Sequence, residues 1–350
     1  MLSISRAGSM PLRRRSFAAL SCVSAVLGLA ACGGDDSDQS EEGALTVYAG
    51  RAESLIAPIL DQFSEETGIP VEVRYGESAE LLSTIIEEGE NSPADLYFSQ
   101  DAGSLGAAED QGLVEELPKS VLSEVGPLFR SPEGGWVGIS GRARIIAYNT
   151  DTLSEAELPE SVLDLTDPEW EGRIGWSPTN ASFQAFVTAM RATEGEDVAR
   201  EWLEGIIANE PVSYADNETA RDGVAAGEVD VALINHYYVE QARESEGEDY
   251  PVDAYFPPGG DVGSLVNVAG VAQLASSDQG REVTELIEFL LSAEAQEFFT
   301  EETKEYPLAG GVKADPDLVP LTEIEQPDIA LSDLDDLEGT LELLEETGAL

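Results

Sequence analysis

The sequence predicts an α/β protein of two lobes, each a mixed sheet flanked by helices, with two hinge strands crossing between them. Apolar strands and amphipathic helices alternate along the chain, which is typical of sheets whose strands are connected by helices. Two long extended runs, at 136–149 and 265–272, contain no loop signal and are candidates for the crossing strands. A chain of 350 residues also buries its apolar surface more readily in two lobes than in one.

The N-terminus is predicted to serve export rather than folding. Three arginines at 13–15 precede an apolar run at 17–31, whose small residues end just before Cys32. This order indicates a lipoprotein signal peptide over 1–32, with Cys32 as the lipidated residue and with either Sec or twin-arginine export. The apolar run is too short for a transmembrane anchor. The acidic stretch 33–43 reads as a flexible tether, so we expect a lipid-anchored protein at the outer face of the cytoplasmic membrane, at the cell surface or in the periplasm.

The charge and the cysteine content exclude several classes of protein. The chain has 70 acidic residues against 18 basic ones and a net formal charge of −52, so electrostatic repulsion excludes nucleic acid as a partner. The acids are spread along the whole chain, which favours a surface adapted to a salty medium. Cys22 and Cys32 are the two cysteines, and both lie in the export segment. We therefore expect no disulfide and no cysteine metal site in the folded part.

The first lobe is predicted from strand–helix repeats over 44–142. The strands are expected at 45–48, 71–75 and 95–98, and each of the first two helices ends at a glycine, Gly68 and Gly89. Ligands of such sheets bind at the carboxyl ends of the strands. Arg51 follows the first strand and Gln100 and Asp101 follow the third, which makes these three side chains candidates for the site.

The second lobe is predicted over 143–267. A strand ending at Trp176 leads to a helix that begins around Asn180, Ala181 and Ser182. Free N–H groups at such a helix start bind anions, although simple helix capping explains the same residues. A buried strand at 229–234 then ends before His236, Tyr237 and Tyr238. At a strand end both tyrosines can point into one cleft; the alternative is that they pack as ordinary aromatics.

The remaining segments complete the predicted domains. Residues 268–318 return to the first lobe and include an amphipathic helix at 283–299. Residues 319–350 form a C-terminal helical segment that we expect to pack on the second lobe.

The residue inventory disfavours an enzyme. His236 is the single histidine, and no G-x-S-x-G, Walker A or Rossmann motif occurs. A conventional zinc or copper site is excluded for want of histidine and cysteine ligands. A carboxylate pair of the glycosidase type stays open because acids are abundant. The pattern suits a hard trivalent cation such as Fe³⁺, bound by phenolates whose protons it displaces, together with a small anion. The residues available for such a site are Tyr237, Tyr238, Asn180, Ala181, Ser182, Arg51, Asn217 and Asn235.

Short motifs in a constant order carry a family resemblance. The motifs are Val47-Tyr48-Ala49-Gly50-Arg51, Ser92-Pro93-Ala94-Asp95, Ser140-Gly141-Arg142-Ala143-Arg144, Trp176-Ser177-Pro178-Thr179-Asn180, Ala232-Leu233-Ile234-Asn235-His236-Tyr237-Tyr238 and Glu305-Tyr306-Pro307-Leu308. With these motifs, the chain from about Leu45 to its end resembles the ferric ion-binding proteins of bacterial iron-uptake ABC transporters, which are two-lobed periplasmic solute-binding proteins.

The resemblance implies a set of roles for individual residues. Tyr237 and Tyr238 would bind the metal. A synergistic anion, carbonate or phosphate, would be held at the helix start by Asn180, Ala181 and Ser182, helped by Asn217 and Asn235.

The chain departs from the family at several ligand positions. Ala52 stands where some members have a histidine ligand, and Gln100 stands where their glutamate ligand falls. A third tyrosine, which other members carry around Ala181, is absent. Gln100 and Asp101 are therefore candidate further metal ligands, and Arg51 indicates that anions take more coordination positions.

The leading hypothesis is a monomeric, non-enzymatic substrate-binding lipoprotein that captures Fe³⁺, free or as a chelate, and delivers it to an ABC permease. An alternative keeps the fold but binds an organic cation, such as a polyamine or thiamine, or an oxyanion. A more distant alternative is an exported hydrolase that uses paired carboxylates.

Overall fold

The structure, a computed structural model, describes residues 43–247 and 249–350. The predicted signal peptide, nearly all of the tether and the lipidation site Cys32 lie outside the described residues. Within the described ranges, no helix combines the length and the apolar character that crossing a bilayer requires.

Ten strands of the described residues form one continuous mixed sheet with the order β2-β1-β3-β9-β4-β7-β5-β6, in which β8 and β10 also pair with β4. The strands are β1 Leu45–Ala49, β2 Val71–Tyr75, β3 Leu96–Ser99, β4 Val137–Asn149, β5 Ile174–Trp176, β6 Val212–Ser213, β7 Val231–Asn235, β8 Val252–Tyr255, β9 Val266–Gln273 and β10 Tyr306–Pro307.

Helices cover the sheet and join most of its strands. They are α1 Glu53–Thr67, α2 Ser78–Glu88, α3 Ala102–Asp110, α4 Lys119–Ser123, α5 Ala181–Thr193, α6 Glu196–Ala208, α7 Asn217–Ala225, α8 Tyr237–Glu246, α9 Gly280–Leu290, α10 Ala293–Glu301 and α11 Leu337–Thr347.

The first part of the sheet confirms the strand–helix repeats predicted from the sequence. β1 pairs in parallel with β2 and with β3, where Val47 lies opposite Leu96. β3 pairs antiparallel with β9, so the sheet is mixed as predicted. α1 buries the apolar residues that predicted it, including Leu55, Ile59 and Phe63. It ends at Gly68, whose left-handed φ of 76° suits a residue without Cβ.

β4 is the strand that joins the two parts of the sheet. All thirteen of its residues are buried. Arg142 lies opposite Asn267 of β9 and Arg144 lies opposite Asn235 of β7. The extended run predicted at 136–149 is therefore a crossing strand. Since side chains alternate along a strand, Ser140, Arg142 and Arg144 lie on one face of it. β9 begins within the second predicted run and pairs with β4 and β3.

An aromatic cluster holds α5 and α6 against the second part of the sheet. The rings of Trp176 and Phe183 meet edge-on at 5.6 Å, and those of Phe186 and Trp202 meet edge-on at 5.4 Å. Each such pair contributes about 1 kcal/mol beyond the apolar area it buries. This packing fixes the axis of α5 and therefore the place where its N-terminus begins.

The helix predicted at 283–299 is two helices, and the single-helix prediction is wrong. α9 ends at Leu290, and Ser292 has an extended backbone with ψ 159°. The Ser292 hydroxyl accepts a hydrogen bond from the N–H of Ala295 at 3.3 Å and so starts α10. Apolar periodicity continues through both helices, which is why it did not reveal the break.

The C-terminal segment packs on helices from both parts of the chain. α11 packs on α5 and α6, where the hydroxyls of Thr188 and Thr340 lie 2.7 Å apart. Arg191 of α5 forms an ion pair with Asp336 at 2.7 Å. The preceding 3₁₀ helix Leu331–Leu334 packs on α3 as well as on α5. We predicted contact with the second lobe, and the structure adds this contact with a helix of the predicted first lobe.

Candidate metal and anion site

The tyrosine pair opens a helix rather than ending a strand. β7 ends at Asn235, His236 is the residue before α8, and Tyr237 begins that helix. The two phenol rings lie next to each other, with centroids 4.3 Å apart and planes inclined by 34°. Tyr237 is buried and Tyr238 is half-buried. The pair therefore presents two neighbouring phenols at one point, as a shared ligand requires.

Burial favours the protonated form of Tyr238 in the absence of a metal. The pKa of Tyr238 lies well above its ordinary value, first because the phenol is desolvated and then because Tyr237 is so close. Arg142 and Arg51 oppose that rise by stabilising a phenolate. A bound trivalent cation must displace the proton, and the guanidinium groups lower the cost of doing so.

His236 has a structural role in this arrangement. Its Nδ1 accepts a hydrogen bond from the N–H of Ala143 at 3.1 Å, and its Nε2 lies 3.0 Å from the carbonyl oxygen of Lys304. Because a carbonyl can only accept, Nε2 carries the proton and the ring is neutral. Burial lowers the pKa of His236 to about 4. Both ring nitrogens are used, so the imidazole orients the start of α8 and is not a free ligand.

Three arginines and one glutamate lie close to the tyrosines, and all four are buried. Nη2 of Arg51 lies 2.7 Å from Oε1 of Glu305, and Nε of Arg142 lies 3.7 Å from the same oxygen. The Arg142 guanidinium also lies over the ring of Tyr237, at 5.7 Å from its centroid. Burial and then the neighbouring Arg142 lower the pKa of Arg144 to about 9. Even so, the Arg144 guanidinium is charged at neutral pH.

Two of these guanidiniums retain unused hydrogen-bond donors. The Nε atoms of Arg51 and Arg142 are buried and have no hydrogen-bond partner among the described residues. An unsatisfied buried donor costs about 1–3 kcal/mol. An anion that accepts from these N–H groups would remove that cost and balance the positive charge. The anion role of Arg51 stays a prediction, and this unpaired donor makes Arg51 a candidate for it.

The start of α5 supplies a second polar surface. Asn180 caps the helix, and its Oδ1 accepts hydrogen bonds from the N–H of Ser182, at 3.1 Å, and from the Ser182 hydroxyl. Nδ2 of Asn235 donates to the Ser182 hydroxyl oxygen at 3.3 Å, and Nη1 of Arg144 lies 3.4 Å from Oδ1 of Asn235. The structure therefore brings together Asn180, Ala181, Ser182 and Asn235 with an arginine that the sequence analysis did not select.

Asn217 is buried at the first position of α7, a helix capped by Asp216. Its Oδ1 has no hydrogen-bond partner among the described residues. An unpaired buried acceptor suits a ligand or a water that donates a hydrogen bond. This orphan atom is the observation that keeps Asn217 among the candidates.

Gln100 and Asp101 have different surroundings. The Asp101 carboxylate caps α3 by accepting from the N–H of Ser104 at 2.7 Å and from the hydroxyls of Ser99 and Ser104. Gln100 accepts from Arg142 through its backbone carbonyl and, at 3.4 Å, through its side chain. Gln100 therefore adjoins the arginines, whereas the Asp101 carboxylate is occupied within its own helix turn.

Among the described residues, no carboxylate cluster competes with the tyrosines as a metal site. Across residues 43–247 and 249–350, no group of three or more histidine, cysteine, aspartate or glutamate side chains could hold a metal ion. Ala52, which stands where a histidine ligand would fall, is an exposed methyl group. A metal at this place would rely on phenolates and on an anion.

Three buried residues beside the candidate site, Arg142, Arg144 and Glu305, were not predicted from the sequence as part of it. A signal for the arginines was present in the spacing Arg142-Ala143-Arg144, because two charges at alternate positions of an apolar extended run share one buried face. Glu305 offered no such pattern, since it is one of 70 acidic residues and its partners lie far away in the chain.

Comparisons with known proteins identify the family of the chain. The family model of the bacterial extracellular solute-binding proteins matches residues 91–332. An Fe(3+)-binding periplasmic protein of Serratia marcescens is 33% identical over 314 residues, which cover 89% of this chain and 92% of that protein.

Two solved structures extend the similarity to the fold. Iron-bound HitA from Pseudomonas aeruginosa has a TM-score of 0.84 and 36% identity, covering 88% of this chain and 100% of that one. A Trichodesmium protein in complex with iron and citrate has a TM-score of 0.73 and 30% identity, with 87% and 99% covered. The chain therefore belongs to the bacterial extracellular solute-binding proteins and, within them, to the family of ferric ion-binding proteins.

Proposed function

We propose that this chain is the binding protein of an ABC importer and that it captures Fe³⁺ together with a synergistic anion, carbonate or phosphate. The observation that carries the proposal is the adjacent pair Tyr237 and Tyr238, placed beside the buried guanidiniums of Arg51 and Arg142. Phenolate oxygen is a strong ligand for a hard trivalent cation, and the guanidiniums favour the phenolate form.

The charges of the site support a metal with an anion rather than an organic cation. Three buried guanidiniums face one paired glutamate, so the surroundings of the phenols are positive before the phenols ionise. Two phenolates offset that charge, and an anion offsets the charge of the metal. A polyamine or thiamine would meet the positive guanidiniums without removing a proton from either tyrosine.

Two groups of polar atoms support the anion part of the proposal. The first is the pair of unused, buried Nε donors of Arg51 and Arg142. The second is the Asn180–Ser182–Asn235 network at the start of α5. Ala52 and Gln100 stand where other family members have a histidine and a glutamate ligand. An anion bound by either group of atoms would supply oxygen ligands in their place. The Asn217 Oδ1 would accept from a protonated anion or a water.

The remaining parts of the proposal concern where the protein works. A lipid on Cys32 would hold the monomer at the outer face of the cytoplasmic membrane, where the acidic tether lets it reach the permease. The protein would release iron there without chemical conversion, so we propose no catalytic residue.

A visible absorption titration tests the proposal. Metal-free protein lacking residues 1–32 is titrated with ferric nitrilotriacetate, with and without carbonate or phosphate. We expect a tyrosinate-to-iron band that saturates at one metal per protein and depends on the anion. Tyr237→Phe should remove most of the band, whereas Tyr255→Phe, a change outside the site, should leave it intact. An unchanged band in Tyr237→Phe, or no band in the wild-type protein, would refute direct ligation.

A further inference from the structure

The motif Glu305-Tyr306-Pro307-Leu308 has no assigned role, yet its first residue lies at the centre of the site's charges. Glu305 is fully buried. Its Oε1 contacts Arg51 at 2.7 Å and Arg142 at 3.7 Å, and its Oε2 accepts a hydrogen bond from the Ser140 hydroxyl at 2.6 Å. The carboxylate therefore joins the segment after β1 to the crossing strand β4.

The chain around Glu305 holds that carboxylate in one place. Lys304, directly before it, has a left-handed φ of 58°, which is uncommon for a residue with a side chain. The carbonyl oxygen of Lys304 accepts a hydrogen bond from His236. The Nζ of the same lysine forms ion pairs with Asp315 at 3.2 Å and with Glu244 at 3.3 Å. On the other side Tyr306 pairs with Gly141 of β4. Glu305 cannot leave the guanidiniums without disrupting this segment.

A fixed negative charge at this point acts in opposite directions on the two components of the proposed ligand. It weakens the binding of an anion to Arg51 and Arg142, and it favours a trivalent cation nearby. Buried charges interact through a low effective dielectric constant, so these effects are much larger than at a surface. Without Glu305 the guanidiniums would retain an anion even when no metal is present.

We propose that Glu305 makes anion binding depend on the ferric ion, by lowering the affinity of the metal-free site for anions. This inference rests on the proposed ferric function, because it assigns Glu305 the part of tuning that site. Glu305 acts through Arg51 and Arg142 and is a positioning and charge-setting residue. Empty protein would then remain ready for the metal, and loss of iron would release the anion with it.

Phosphate binding to the metal-free protein tests the inference. Isothermal titration calorimetry with inorganic phosphate compares the wild type with Glu305→Gln, which keeps a hydrogen-bond acceptor and removes the charge. We expect phosphate to bind at least about tenfold more tightly to Glu305→Gln. Glu302→Gln removes an exposed carboxylate three residues earlier and should match the wild type. Equal or weaker phosphate binding in a folded Glu305→Gln would overturn the inference.

A second variant separates charge from folding. Glu305→Asp keeps the charge, and we expect its phosphate affinity to lie within about twofold of the wild type. If Glu305→Gln does not unfold cooperatively in urea and is therefore not folded, the test rests on Glu305→Asp. A phosphate affinity of metal-free Glu305→Asp that is about tenfold tighter than that of the wild type would overturn the role of charge. The ferric titration of the wild type is independent of both. A wild-type tyrosinate band with unchanged Glu305→Gln phosphate affinity contradicts this inference alone, whereas absence of the band contradicts the ferric function.

Discussion

The imidazole of His236 stacks on the phenol ring of Tyr306, with ring centroids 4.6 Å apart and planes inclined by 24°. The contact joins the residue before the tyrosine pair to the residue after Glu305. Together with the hydrogen bonds of His236 to Ala143 and Lys304, it ties the start of α8 to β4 and β10. The phenols of the site are therefore positioned by a neutral, buried histidine.

This environment predicts a pH-dependent stability. Burial lowers the pKa of His236 to about 4 in the folded protein, against about 6.5 in the unfolded chain. The unfolded state therefore binds the proton first as pH falls, so stability present above pH ~6.5 is lost progressively towards pH ~4. The loss amounts to about 3 kcal/mol. Urea unfolding of metal-free wild type and His236→Gln at pH 7 and pH 5 measures the part of the loss that falls between these two values, about 2 kcal/mol. Parallel pH dependence in the two proteins would contradict the assignment.

Asn180→Ala should affect both the fold and the anion. Loss of a helix cap costs about 1 kcal/mol, and the Asn180 side chain also orients Ser182. We expect a lower free energy of unfolding and a weaker dependence of the ferric band on carbonate.

Ser292→Ala provides the matched control for Asn180→Ala, because Ser292 caps α10 outside the site. It should lose a similar stability and leave the ferric band unchanged. Equal effects of both variants on the band would argue against an anion at the start of α5.

Asp101→Ala separates helix capping from metal ligation. The Asp101 carboxylate accepts from Ser99 and Ser104 at the start of α3. We expect a loss of about 1–2 kcal/mol of stability with one ferric ion still bound per protein. Equilibrium unfolding and the ferric titration measure the two quantities. Loss of the ferric band in a folded variant would instead make Asp101 a metal ligand.

Gly103→Ala should disrupt the contact between α3 and the C-terminal segment. A Cβ at this position would lie 2.3 Å from the carbonyl oxygen of Leu334. Relieving the clash requires movement of backbone, so we expect a loss of about 1–3 kcal/mol and faster amide exchange over 331–347. Gly126→Ala, where the nearest atom to the new Cβ is 3.8 Å away, should change neither quantity. A stable Gly103→Ala would show that the segment yields freely.

The elements with strong local signals were predictable from the sequence. Apolar periodicity predicted α1, and the absence of loop residues predicted β4, because both signals arise from residues close in the chain. A local signal, the end of a predicted buried strand, also indicated the tyrosine pair. The prediction placed the pair at that strand end, whereas it lies in the first turn of α8. A single residue, His236, separates the two elements, and periodicity does not resolve so short a transition.

The cationic half of the site depended on tertiary structure. Arg51 and Glu305 lie 254 positions apart in the chain and meet at 2.7 Å. The composition does not reveal this ion pair. Because exposed acidic residues are abundant, the sequence does not distinguish a buried glutamate from an exposed one. Asp101 shows the converse: its place after β3 indicated a ligand, and its hydrogen bonds show a helix cap.

The buried guanidiniums give the interior of the molecule a charge opposite in sign to the net charge of the chain. The whole chain carries a net charge of −52, whereas in the described interior Arg51, Arg142 and Arg144 outnumber their paired carboxylate, Glu305. At low ionic strength the exterior repels any phosphate that approaches, whereas 1 M salt shortens that repulsion to about 3 Å. Buried charges are screened far less. High salt should therefore raise the association rate of the anion, whereas the binding of the anion to the buried arginines should change little.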